Sequence, residues 1–240
     1  PARPLLAPRL LWPAAPEEVA LLLSGGVDSS VALHELLREG HAVRAFYLRI
    51  WLEEEQQHAA RGECPWAEDW AYCTAVCEQA GVPLEPVSLQ REYQDSVVGY
   101  LLAEAAAGRT PNPDVMCNSR VKFGAFHDRI GRHFRRVASG HYARTEGIGG
   151  PGPVRLLRAA DAHKDQTYFL SQLSQSQLAT TLFPIGALPK AEVRRAARAL
   201  NLPNRARKDS QGICFLGQVC NHICNHICNH ICNHICNHIC

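Results

Sequence analysis

The sequence predicts an α/β protein: a parallel sheet with helices on both faces. Three observations predict it. Short apolar runs alternate with amphipathic stretches along most of the chain, and the first run breaks into a Ser-Gly-Gly turn just before a helical pattern. The composition, 46% hydrophobic and 20% charged, is that of a globular chain able to bury a core. Strand and helix alternating at this pace means βαβ units, whose strands pair in parallel and are buried on both sides.

In order, Val19 to Leu23 is the first strand and Asp28 to Arg38 the first helix. After the break at Gly40, Val43 to Leu48 is a second strand, followed by a helical pattern from Trp66 to Gln79. Leu84 to Leu89 reads as a strand, Glu92 to Ala107 and Asn118 to Ile130 as helices, and Arg136 to Ser139 as a short strand. Gly147 to Pro153 (GIGGPGP) is a loop. Ser174 to Leu182 and Lys190 to Leu200 complete the helices. One catalytic-size domain is expected from 17 to 217, with residues 1–16 an extension and 218–240 a tail.

Net charge is only +2, so any nucleic-acid partner must be argued from local clusters. No run reaches the ~18 apolar residues that cross a bilayer, and no membrane partner is expected. Residues 1–16 contain arginine but no acid, in keeping with the remnant of an organelle transit peptide or a plain extension. Plastid or mitochondrion, otherwise cytoplasm, is the expected location. From Cys220 the unit Asn-His-Ile-Cys repeats without drift to Cys240. A uniform ladder of ligands specifies no single metal geometry, so the tail reads as a non-functional extension. Five of the eleven cysteines precede it, in no disulfide-framework spacing. Cys73 and Cys77, four apart on one helix face, read as core packing.

The segment LLLSGGVDSS (Leu21 to Ser30) sits at a strand-to-helix junction, where open α/β sheets bind ligands. Gly25 and Gly26 permit close approach to the backbone, and N–H groups at the helix start suit an anion. The loop lacks the lysine of a Walker A motif and has Asp28 instead, an acid placed to help hold Mg²⁺. GRTPNPDVMCNSRVKFGAF (Gly108 to Phe126) places Cys117 after a Pro-Asn-Pro-Asp turn and just before the predicted helix. There the helix N–H groups, with Arg120 and Lys122, would stabilise a thiolate. Cys214 follows a basic stretch in KDSQGICFLG. Seven Lys/Arg stand between Lys190 and Lys208 against one acid, Glu192, and Arg129, Arg132, Arg135, Arg136 and Arg144 form a second basic cluster. Both clusters are candidates for contacts to a phosphate backbone.

SGGVDSS resembles the PP-loop of the ATP pyrophosphatases, which cleave ATP between the α and β phosphates. With GRTPNPDVMCN, VKFGAF, ASGHYAR, KDQTYFLSQLS, LFPIG and DSQGICFLG in that order, the chain resembles the tRNA-specific 2-thiouridylases from about Val19 to Gly217. CPWAEDW and DSQGICFLG are most similar to the plastid-type branch.

The resemblance implies a Rossmann-like PP-loop domain that uses ATP and Mg²⁺, acts on the wobble uridine of tRNA, and receives sulfur from a cysteine desulfurase. Leu22, Leu23, Ser24, Gly25, Gly26, Val27, Asp28 and Ser29 match its ATP loop. Leu48 stands at an adenine-contacting position and Gly140 at another nucleotide contact. Asn112, Pro113 and Asp114 match the stretch at the target base, where Asp114 is a candidate for moving a proton. His141, Lys164, Asp165 and Gln166 match tRNA contacts. Cys117 corresponds to the nucleophile and Cys214 to the persulfide carrier. Departures are Ile50, where asparagine is common, and Gln94, where tryptophan is common. The family's central and β-barrel domains, which follow GICFLG, are expected to be missing here. Two alternatives stay open: another PP-loop ATP-dependent ligase, or an inactive nucleotide-binding fragment.

Overall fold

The computed structural model describes residues 17–50 and 65–209. The chain divides into two compact units, Pro1–Lys208 and Asp209–Cys240; the architecture below is that of the first. The extension, Cys64, Cys214 and the repeat tail lie outside the described residues.

Strand β1 (Glu18–Leu22) is buried at every position after Glu18, as a strand covered on both faces must be. It pairs in parallel with β2 (Ala42–Arg49) on one side and β4 (Arg136–Ser139) on the other. β3 (Leu84–Ser88) adds outside β2. A hairpin, β5 (Ala143–Glu146) with β6 (Arg155–Arg158), stands apart as an antiparallel pair around the glycine-rich loop. β7 (Thr181–Leu182) adds outside β4, giving the order β3-β2-β1-β4-β7. The chain steps outward from β1 to β3, then returns to the far side of β1 as β4. That reversal, between β1 and β4, is the switch point at which open sheets leave a crevice beyond their carboxyl ends.

Successive side chains of β2 show that both faces are covered. Ala45 and Tyr47 join the core formed with α1 (Val27–Arg38), α2 (Pro65–Ala80) and a helix at the end of the unit, Lys190–Ala199. Phe46, between them, points the other way and meets Phe126 and Phe134 edge-on at 5.4 and 5.5 Å. On α1, Val31, Leu33 and Leu36 are fully buried, each contributing about 1.5–3 kcal/mol relative to exposure. Cys73 and Cys77 are likewise buried in this core, and burial raises both thiols, Cys77 to about 11. No helix among the described residues is long and apolar enough to cross a membrane.

Three expected boundaries shift. The helix expected from Glu92 begins earlier, as α3 (Gln90–Tyr93), and reaches α4 (Gly99–Ala106) through a π-helical turn at Gln94–Val98. The helix expected from Asn118 begins at Pro113: α5 (Pro113–Met116) runs through a π-helical stretch, Cys117–Ala125, into α6 (Phe126–Arg129). Pro113 suits a first helical turn, and the Asn112 side chain caps it by accepting from Val115 N. The helix expected from Ser174 to Leu182 is only α7 (Gln175–Thr180), held by a capping box of Ser174 and Gln177. Thr181 and Leu182 leave it to pair with Val137 and Ala138. The last helix, α8 (Lys190–Ala199), buries Val193, Ala196 and Ala197, spaced by three and four.

Candidate active site

The glycine loop links β1 to α1 beside the switch point. Gly25 holds φ +74°, and a Cβ there would lie 2.6 Å from the Asp69 carbonyl oxygen; only glycine meets both conditions. Gly26 caps α1 with no side-chain hydrogen bond, so the first N–H groups of the helix have no side-chain acceptor at the cap. The serines are turned inward. Ser29 Oγ donates to Gly26 O and accepts from Ser24 N, and Ser30 Oγ also donates to Gly26 O. The helix N–H groups at this start suit a phosphate chain. Gly140, at the end of β4, abuts it: a Cβ there would lie 2.7 Å from Ser29 N. Leu22 and Leu23 are buried beneath the loop, Val27 begins α1, and Leu48 is half-buried near the end of β2.

Asp28 is where distant parts of the chain converge. Its Oδ1 accepts from the Tyr142 hydroxyl at 2.9 Å and from Lys190 Nζ at 2.6 Å. The ammonium also lies 5.7 Å from the Tyr142 ring centroid. Lys190 opens α8, whose first N–H is capped from afar by Asp161 Oδ2. That bond, with others from His163 and Lys164, holds the Asp161 carboxyl below its usual range despite some desolvation. A cation beside an uncapped helix start is what a polyphosphate needs. A lone carboxylate is also a fitting Mg²⁺ contact, since Mg²⁺ retains waters and shares substrate phosphates. Among the described residues no group of three His, Cys, Asp or Glu is clustered for a metal.

Asn204 supports the loop from below. Only 1% exposed, its Nδ2 donates to Gly25 O at 2.8 Å and to Ser30 Oγ at 2.9 Å. Arg207 lies alongside, paired with Asp69 and stacked 5.0 Å from the Tyr72 ring centroid.

The region of Cys117 meets this site through β4. Phe123, six residues along the same helical run, packs on His141 with centroids 6.2 Å apart. Ser139 Oγ lies 2.8 Å from His141 Nδ1. Burial, with Lys122 adding to it, pushes His141 down to about 3, so the imidazole is neutral at physiological pH and offers hydrogen-bonding nitrogens, not a charge. Cys117 corrects the expectation from sequence. It is not at an exposed helix start but one turn inside, and only 1% exposed. Arg120, expected beside the thiol, instead stacks over Tyr100 and donates to Ser96 O. Cys117 does open the π-helical stretch, a distortion frequent at functional sites.

A family model described as tRNA methyl transferase HUP domain matches residues 17–218. The chain belongs to that family. Among curated relatives of this HUP domain, the tRNA-specific 2-thiouridylase MnmA of Porphyromonas gingivalis is 47% identical over 202 residues, 84% of this chain and 55% of the relative. That of Exiguobacterium sibiricum is 46% identical over 209 residues, 85% and 54% of the two chains. The chain therefore spans about half the length of the curated relatives it matches. Among solved structures, the NMN synthetase of Francisella tularensis aligns at TM-score 0.47 and 16% identity, over 80% of this chain and 66% of that one.

Within the HUP domain, the residues expected to meet RNA fall into two groups. Asn112, Pro113 and Asp114 form the capped start of α5. Asp165 and Gln166 are bound to backbone: Asp165 accepts from Ala159 N and Thr167 N, and Gln166 Oε1 accepts from Tyr142 N. Burial would raise Asp165, but these bonds with those from Thr167 Oγ1 and Arg158 outweigh it and hold the carboxyl low. Lys164 is half-buried in the same loop.

The basic clusters are largely occupied. Arg136 is buried and, with Arg135, pairs with Glu17 at the amino ends of β1 and β4, away from the glycine loop that follows β1. Arg194 donates to the carbonyls of Arg205 and Arg207, whereas Arg195 is exposed and, among the described residues, pairs with Glu192 in its own helix. Sequence reasoning assigned no site role to Tyr142, Asp161 or Asn204, and placed Lys190 among phosphate-backbone contacts. Its position just after LFPIGALP, at the first turn of a helix, was the available signal.

Proposed function

We propose that this HUP domain carries out ATP-dependent 2-thiolation of the wobble uridine of tRNA. The observation that carries the ATP half is the convergence of Lys190, Tyr142 and Asp28 at the uncapped start of α1. The sulfur half is supported by the names of relatives 46–47% identical across 84–85% of the chain and by the two cysteines that match the family pattern.

The uridine C2 oxygen attacks the α-phosphorus of ATP, and pyrophosphate leaves into the glycine loop. Lys190 and the loop N–H groups carry its charge; Asp28 would help hold Mg²⁺, which would supply further positive charge there. The terminal sulfur of a Cys214 persulfide, supplied by a cysteine desulfurase, adds at C2 and AMP departs. Cys117 thiolate then attacks Cys214 Sγ. The thiouridine leaves, and a Cys117–Cys214 disulfide remains for an external thiol to reduce. Asp114 moves the proton near the base.

The test is to incubate the chain with ATP, tRNA, Mg²⁺ and a persulfide donor, and to quantify 2-thiouridine and AMP by mass spectrometry. Both products are expected, and Cys117→Ser or Cys214→Ser should abolish the thiolated base. Product formation that survives Cys214→Ser would favour a PP-loop ligase that transfers nitrogen. ATP binding with no modified tRNA would favour a nucleotide-binding fragment.

A further inference from the structure

Of the described residues, three large hydrophobic side chains are exposed, and Tyr168 is the most so at 65%. A single exposed aromatic needs no explanation by itself. Tyr168 differs because it is exposed and also fixed at two points. Its hydroxyl accepts from the Asn112 side-chain amide at 3.1 Å. Its ring meets Phe169 edge-on, centroids 5.4 Å apart at 72°, and Phe169 is anchored in turn by Asn118, whose amide donates to Phe169 O. A surface tyrosine ordinarily lacks such contacts; this one is held at its hydroxyl and at its ring while the residue stays 65% exposed.

The anchor is informative. Asn112 also caps the helical run that holds Asp114 and Cys117, and its own N–H donates to Tyr100 Oη. Arg120 lies over that second ring, 5.5 Å from its centroid. A pre-positioned aromatic face and a second ring with a guanidinium over it are the kind of surface that single-stranded nucleic acid recognises: stacking faces beside positive charge.

We propose that Tyr168 is a stacking platform for a nucleobase of the RNA substrate, the one adjoining the base engaged at Asn112–Asp114. This rests on the proposed tRNA substrate. The Phe169 contact and the Tyr168–Asn112 bond both hold the ring beside the target-base stretch, so that stacking of the neighbour places the target.

The test compares Tyr168→Ala, Tyr168→Phe and Tyr168→Trp in equilibrium binding to tRNA and to an anticodon stem-loop carrying 2-aminopurine next to the target uridine. Tyr168→Ala should weaken binding roughly tenfold or more and abolish the 2-aminopurine quenching. Phenylalanine and tryptophan should keep affinity within about threefold of the parent and retain the quenching. A purely structural tyrosine predicts otherwise: Phe and Ala both lose the Asn112 bond and would be equally impaired. That result, or unchanged binding by Tyr168→Ala, overturns the stacking role alone. No binding of tRNA by the unsubstituted chain overturns the substrate reading and this proposal with it.

Discussion

Lys190 and Asp28 stand 162 residues apart in sequence and 2.6 Å apart in space, joining the first turn of α8 to the glycine loop. Their side chains are 13% and 32% exposed, so the pair is partly solvated and contributes about 1 kcal/mol or less to stability. On the proposed function its weight falls on ligand binding, because a phosphate chain in the loop would offer Lys190 a larger negative charge than one carboxylate.

Lys190→Met should therefore weaken ATP binding about tenfold or more while lowering Tm by only a few degrees. Calorimetric titration with ATP and a thermal melt on the same sample check it. A large loss of Tm with unchanged ATP affinity would make the pair a structural clamp instead.

Asn204 makes two buried hydrogen bonds, to Gly25 O and Ser30 Oγ. Asn204→Ala leaves both partners short of a donor, which costs about 2–3 kcal/mol and about 5–10 °C of Tm. Asn204→Asp has nearly the same shape but no donor, and sets a charge against the Gly25 carbonyl. It should be the worse of the two, in melting and in ATP binding alike; an aspartate variant that behaves like wild type would show that shape alone supports the loop.

Gly140 abuts the backbone of Ser29. Gly140→Ala should push the start of α1 outward and abolish ATP binding, while far-ultraviolet circular dichroism stays native-like. Gly152, where a Cβ meets open space, is the control: Gly152→Ala should leave both unchanged.

Burial lifts Glu39 from its ordinary range to about 7, with Arg38 opposing and Glu35 adding. The folded chain thus holds this proton to higher pH than the unfolded chain does. The stability from that proton is complete below about 4.5 and is lost as pH rises through about 7. Glu39→Gln cannot titrate, so its Tm should fall less than that of the parent between those values. Parallel Tm–pH curves for the two proteins would refute it.

The sheet was legible because its strands are short apolar runs with turn residues between them, and the glycine loop because its conformation demands its residues. Helix boundaries near Cys117 were not. Asn112 and Pro113 form a cap-and-first-turn signal, but they also read as a turn, and only the structure shows the helix continuing through Cys117. Thr181 and Leu182 continue the pattern of α7, and it is their pairing with β4 that makes them strand. The convergence on Asp28 was invisible for a different reason. Tyr142 and Lys190 reach it through the packing of α8 and the end of β4, and no local pattern records a meeting across such separations.

Asp161 has a consequence beyond capping a helix. Its carboxylate holds the N–H of the residue whose ammonium faces the glycine loop, and it belongs to the same loop as Lys164, Asp165 and Gln166. On the proposed function, RNA at that loop and ATP at Lys190 would both meet the segment joined by the Asp161–Lys190 bond. Thermodynamic reciprocity then applies to the two ligands: by whatever factor one tightens the other, it is tightened in return.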